Sequence, residues 1–129
     1  MIQKELKAVE AFHKAFKIDC ENAPTVAISD SIKELRFRLM EEENEEYLEA
    51  AKNNDLVEVA DALGDMLYIL CGTILSHGMQ HKIEEVFDEI QRSNMSKLGE
   101  NGEPIYREDG KVMKGPNYFK PNIADLLKR

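Results

Sequence analysis

Between Leu56 and Ser76 the sequence is apolar on nearly every side of a helical projection. Leu56, Val59, Leu63, Met66, Leu67, Leu70 and Ile74 leave no wholly polar face. Such a helix has to be covered by neighbours. Yet Glu58, Asp61 and Asp65 interrupt it at i, i+3 and i+7. Seven residues are nearly two turns, so the three carboxylates share one stripe, within roughly 20–60° of each other. The fold must therefore wrap an apolar helix and still house a row of acids on it.

The rest of the chain supplies the covering elements. Ile2, Leu6, Val9, Phe12 and Phe16 recur at steps of three or four, predicting an amphipathic helix over 2–17. Pro24 and its polar neighbours break it. A second helix is expected from Ser31, where Ser31-Ile32-Lys33-Glu34 has capping-box form, through Leu35, Leu39, Tyr47 and Ala51 to Asn53. Asn54-Asp55 reads as a turn and a fresh cap, and Gly78 as the stop of the third helix. A fourth helix carries Ile83, Val86, Phe87 and Ile90 on one face.

After residue 98 the character changes. Four glycines (Gly99, Gly102, Gly110, Gly115) and three prolines (Pro104, Pro116, Pro121) punctuate it. Residues 105–107 and 111–113 flank Asp109-Gly110 in the manner of a small hairpin. Asn122 suits the cap of a short terminal helix over 123–127. The expected architecture is all-α: a four-helix bundle over residues 1–98, with a loop-rich C-terminal arm, 99–129, in the same domain. A length of 129 residues fits one domain.

Charge is concentrated where the chemistry should be. Residues 41–65 hold ten Asp/Glu and one Lys, so this window alone exceeds the whole chain's net charge of −8 by one. No basic face is evident, which disfavours nucleic acid as a partner. The N-terminus has no signal-like apolar run, and the most apolar stretch, 66–75, is too short to cross a bilayer, so no membrane partner is expected. Cys20 and Cys71 make no disulfide framework. Together these point to a cytoplasmic protein with reduced thiols.

On the second helix, Glu43 and Glu46 are three apart and Glu42 and Glu46 four apart, so their carboxylates share a flank. A short turn makes the second and third helices antiparallel neighbours, whose acidic stripes can face each other. Carboxylates gathered near a core repel and resist ionising. A hard divalent cation resolves this: Mg²⁺, or Mn²⁺ in its place, takes carboxylate oxygens and keeps waters for exchange. With no Cys or His in the cluster, zinc is disfavoured. Glu41, Glu45 and Glu49 read instead as a solvated face.

The stretch 39–50, with Glu42-Glu43 and then Glu46, resembles the EExxE motif of the MazG-like all-α nucleoside triphosphate pyrophosphohydrolases, the superfamily that includes the phosphoribosyl-ATP pyrophosphohydrolases. Glu58-Val59-Ala60-Asp61 is similar to their ExxD motif. Residues 65–70 also resemble the apolar run that follows the motif aspartate. The second match puts that aspartate at Asp65, and the glutamate expected three residues earlier is then Ala62. The resemblance spans about residues 30–97. It implies Mg²⁺-dependent cleavage between the α- and β-phosphates of a nucleoside triphosphate, with Glu43, Glu46, Glu58, Asp61 and Asp65 around the metal. Glu42 is the candidate base that takes a proton from the attacking water.

Positive and polar groups should meet the phosphate tail. Asn94 and Lys97 share a face at the end of the fourth helix, where the family often carries an Asn and a Lys. Lys114 and Tyr118 lie in a Gly/Pro-shaped loop suited to closing on phosphate. Phe12, His13 and Phe16 on the first helix are candidates for stacking on the base, with core the commoner role for Phe12 and Phe16; His77 and His81 read as surface histidines. Phosphoribosyl-ATP is an alternative substrate with the same bond cleaved. A regulatory module that binds nucleotide or metal without turnover is the alternative from another class. The apolar third helix needs more cover than four helices provide, so a homodimer or homotetramer is expected.

Overall fold

The computed structural model describes residues 1–129. It contains five helices, α1 (Gln3–Ala15), α2 (Asp30–Lys52), α3 (Leu56–Ser76), α4 (Ile83–Met95) and α5 (Ile123–Lys128), and no strand beyond one isolated bridge. The all-α class is as expected. The chain divides into two compact units, Met1–His81 and Lys82–Arg129. Thus α4, which the sequence groups with the first three helices, groups with the arm that follows it.

In the first unit α2 packs along α3, and α1 packs on α3. The α2–α3 connection is a tight turn. Asn53 caps α2, Asn54 takes a left-handed φ of 55°, and the Asp55 side chain accepts from Glu58 N to start α3. The start of α2 differs from expectation. Ser29, not Ser31, is its N-cap, accepting from Ile32 N at 3.2 Å. The Ser31 hydroxyl instead lies 3.2 Å from that of Ser29.

The segment between α1 and α2 docks on the end of α3. Glu21 N donates to Leu75 O at 3.0 Å and Thr25 N to His77 O at 2.9 Å. His77, read as a surface residue, is half-buried there, with Nδ1 2.8 Å from the Thr25 carbonyl. Gly78 ends α3 with φ 67°, and a Cβ on it would collide with the Ala23 backbone. The buried face of α1 is Leu6, Val9 and His13, so Phe12 and Phe16 are not core: they are 39% and 66% exposed.

By length and hydropathy α3 would also pass as a membrane span, which the 66–75 stretch alone does not reveal. Its three carboxylates oppose that use, since each is costly in hydrocarbon.

The second unit is tied by serines. Buried Ser93 donates to Phe119 O at 2.8 Å, and Phe119 N donates to Ser96 Oγ at 3.2 Å. Glu89 receives both Arg92 and Asn122 N, which hold its carboxyl below the usual range. The hairpin shrinks to a single Tyr106–Val112 bridge around the Asp109-Gly110 turn. Asn122 caps α5 as expected, through Asp125 N.

Candidate active site

The turn at Asn53–Asp55 places α2 and α3 side by side and sets which residues meet. Glu43, on α2, comes under the charges of Glu46 on its own helix and of Asp65 and Asp61 on α3. Glu46 and Glu58 line one cavity of about 360 Å³, together with Glu49, Ala50, Asn53 and Asp55. Of the five carboxylates expected around a metal, Glu46, Asp61 and Asp65 thus act on Glu43 by charge, and Glu58 shares a cavity with Glu46. Glu46 belongs to both groups and links them. Glu42 lies exposed on α2 beside the cluster.

Glu43 has the least usual environment. Its Oε2 is shut off from solvent with no hydrogen-bond partner. Its carboxyl is pushed up to about 7. Burial is the largest cause; a hydrogen bond shared with Glu46 and the charges of Glu46, Asp65 and Asp61 add to it. A buried oxygen without a partner costs free energy that a cation at this spot would recover.

The donor set is all carboxylate oxygen, which suits Mg²⁺ or Mn²⁺ and not zinc. The side chains do not form a closed cage as they stand: no three His, Cys, Asp or Glu groups are close enough to hold an ion together. Unneutralised carboxylates repel. The fit lies in the donor chemistry and the shared stripe; to hold an ion these side chains would have to turn toward one another.

The residues expected to hold phosphate all lie in the second unit. Asn94 is exposed on α4. Lys97 follows α4 and is half-buried; its carbonyl accepts from Gly115 N at 2.8 Å. That bond brings the Gly115 loop against the end of α4. Lys114 sits over the Tyr118 ring, 4.8 Å from its centroid. So Lys97, Lys114 and Tyr118 lie in one loop system, a grouping that their separation in sequence did not show.

Sequence reasoning missed a second cavity in the first unit, about 690 Å³, lined by residues that include Phe12, His13, Arg36, Leu39 and Tyr68. Phe12 stacks on Phe16 with centroids 4.4 Å apart and meets the Tyr68 edge at 5.6 Å. His13 is 2% exposed, with Nδ1 3.3 Å from Cys20 Sγ. Burial, then the charge of Arg36, lowers the His13 pKa. The sequence signal for it is Phe12 beside His13 on α1; Phe16, one turn on, does not line it.

The family model of phosphoribosyl-ATP pyrophosphohydrolases matches residues 9–94. Among solved structures, a candidate NTP pyrophosphohydrolase from Exiguobacterium sp. 255-15 shares 26% sequence identity, over 95% of this chain and 90% of that one, with a TM-score of 0.49. No curated protein matches the sequence.

Proposed function

The chain belongs to the phosphoribosyl-ATP pyrophosphohydrolase family, and from that premise we propose that it hydrolyses the α–β phosphoanhydride of a ribo- or deoxyribonucleoside triphosphate. The products are the monophosphate and pyrophosphate, and the role is clearance of unwanted nucleotides from the pool. The observation that carries this reading is Glu43: a carboxylate with a buried, unpartnered oxygen, flanked by Glu46, Asp61 and Asp65.

Glu43, Glu46, Glu58, Asp61 and Asp65 would hold Mg²⁺, with Mn²⁺ able to substitute. When bound, the ion offsets the negative charge of the phosphates and acidifies a water. Glu42, exposed at the flank of the cluster, takes the proton from the water that attacks the α-phosphorus. The bond from that phosphorus to the bridging oxygen breaks, and pyrophosphate leaves with the electron pair. Asn94, Lys97, Lys114 and Tyr118 hold the phosphate tail by hydrogen bonds and charge.

Phosphoribosyl-ATP is the second reading, favoured by the description of the matching family. It asks for the same bond cleavage. The test is pyrophosphate release over a panel of ribo- and deoxyribonucleoside triphosphates and phosphoribosyl-ATP, each with Mg²⁺, Mn²⁺ or EDTA. Metal-dependent release from a nucleoside triphosphate is expected. Release from none of the panel would overturn the enzymatic reading and leave a regulatory binding module.

The working form is a homodimer. On α3, Leu56, Leu63, Leu67 and Leu70 fall on one stripe and remain 43–79% exposed. Leaving so many leucines in water on one face is costly, and a second copy of the chain covers them.

A further inference from the structure

We propose that the cavity between α1, α2 and α3 is the nucleoside pocket of this enzyme, and that Arg36 selects bases carrying a ring carbonyl at the position where cytosine and adenine carry an amino group. The inference rests on the proposed activity for its ligand class, and on the geometry of the cavity for everything else.

Three observations converge. The first is Arg36. It is 9% exposed, and its bonds go only to neutral groups: Nε to Thr73 Oγ1 at 3.0 Å and Nη2 to the Ile69 carbonyl at 2.8 Å. No carboxylate pairs with it, Nη1 has no hydrogen-bond partner in the protein, and the residue lines the cavity. A buried guanidinium without a counter-charge is costly unless something accepts its remaining donors. A ring carbonyl does so, whereas an exocyclic amino group presents a second donor and is refused.

The second is the aromatic lining. Phe12 and Tyr68 stand edge to face and are 39% and 42% exposed, so both offer ring surface to a planar ligand. The cavity volume of about 690 Å³ lies within the usual range for small-ligand sites.

The third is register. Across the α2–α3 pair Arg36 lies against Gly72, and Glu43 is under the charge of Asp65. Both steps, 36 to 43 and 72 to 65, are seven residues, so the pocket and the acidic cluster are about 10 Å apart along the helices. A sugar and the start of a phosphate tail bridge that gap. Gly72 makes the arrangement possible, because a Cβ there would strike the Arg36 guanidinium and lie 3.1 Å from His13 Nε2.

The test uses nucleosides without phosphate and the full chain in EDTA, so it is independent of turnover. Uridine and inosine, against cytidine and adenosine, are titrated while the backbone amide NMR signals of Phe12, Tyr68 and Gly72 are followed. Uridine should bind about fivefold or more tightly than cytidine, and inosine than adenosine. Tyr68→Ala should weaken all four by roughly tenfold. Arg36→Met, which removes the donor, should bring the members of each pair to equal affinity. Because Arg36 also braces α3, the half-exposed Tyr68 provides an arm that leaves the fold intact. Equal affinities within each pair, no shift of those signals with any nucleoside, or unchanged binding in Tyr68→Ala would each overturn the proposal. Pyrophosphate release without nucleoside binding here would leave the activity standing and remove the pocket; the converse would do the reverse.

Discussion

Glu43 and Glu46, one turn apart on α2, crowd each other: burial and the neighbouring Glu46, Asp65 and Asp61 charges push the Glu43 carboxyl up to about 7, while its Oε2 has no hydrogen-bond partner. Glu43 therefore holds its proton further toward neutral pH than an ordinary carboxyl.

The pH dependence of stability follows. Glu43 moves from an ordinary 4.5 to about 7 on folding, so the folded state holds the extra proton between those values. Its stabilising effect is complete below 4.5 and is lost as pH rises through about 7. His13 acts oppositely: its lowered pKa gives stability above its ordinary 6.5 that is lost as pH falls. In EDTA, Glu43→Gln should be more stable than the wild type above pH 7, with the gap closing toward pH 4.5. Parallel urea-unfolding midpoints for the two proteins across this range would count against the assignment. Mg²⁺ at pH 7.5 should stabilise the wild type more than Glu43→Gln.

Glu46→Gln and Asp61→Asn should each lower pyrophosphate release by roughly 10²-fold or more, since even groups behind metal ligands are worth 10–100-fold. Both sites are exposed, so circular dichroism melts should change little. Nearly full activity in both variants would refute the site.

Lys97→Ala should separate the phosphate contacts from the acidic cluster. Loss of turnover with unchanged Mg²⁺ stabilisation is expected, because Lys97 belongs to the second unit and the carboxylates to the first. Equal loss of both would place Lys97 in a structural role.

Gly72→Ala puts a methyl into the Arg36 guanidinium and against His13. Overpacking of this kind costs about 1–3 kcal/mol, readable as a lower urea midpoint. Gly64 faces open space, so Gly64→Ala on the same helix should be neutral or slightly stabilising.

Leu67→Glu tests the homodimer. Light scattering should give twice 14.8 kDa for the wild type and a lower mass for the variant. A wild-type monomer would dispose of the dimer.

Local signals account for what the sequence made legible. The bounds of α3 were readable because both ends carry strong stops, Asn54-Asp55 before it and Gly78 after it. The start of α2 was misplaced because two serines compete within one turn: the capping-box rule selects Ser31, while the extended backbone that a cap needs belongs to Ser29. The acidic stripes were legible because helical spacing fixes which carboxylates share a face. Periodicity, however, identifies a face and not what covers it. Phe12 belongs to the apolar stripe of α1 yet lines a cavity, Phe16 on the same stripe is exposed, and Arg36 looks like one more surface cation until α3 is seen to bury it. The grouping of α4 with the arm rests on Ser93, Ser96 and Gly115, whose partners are far along the chain and leave no local pattern.

The turn at Asn54 is also a ruler. Every pairing across α2 and α3, from Glu46 and Glu58 around one cavity to Arg36 against Gly72, is counted outward from that one left-handed residue. One residue inserted inside α3 ahead of Asp61 would rotate all that follows by about 100°. Asp61 and Asp65 would swing away from Glu43, and Gly72 from Arg36, in a single step. The two cavities can change their side chains independently, but they cannot change their spacing without losing both.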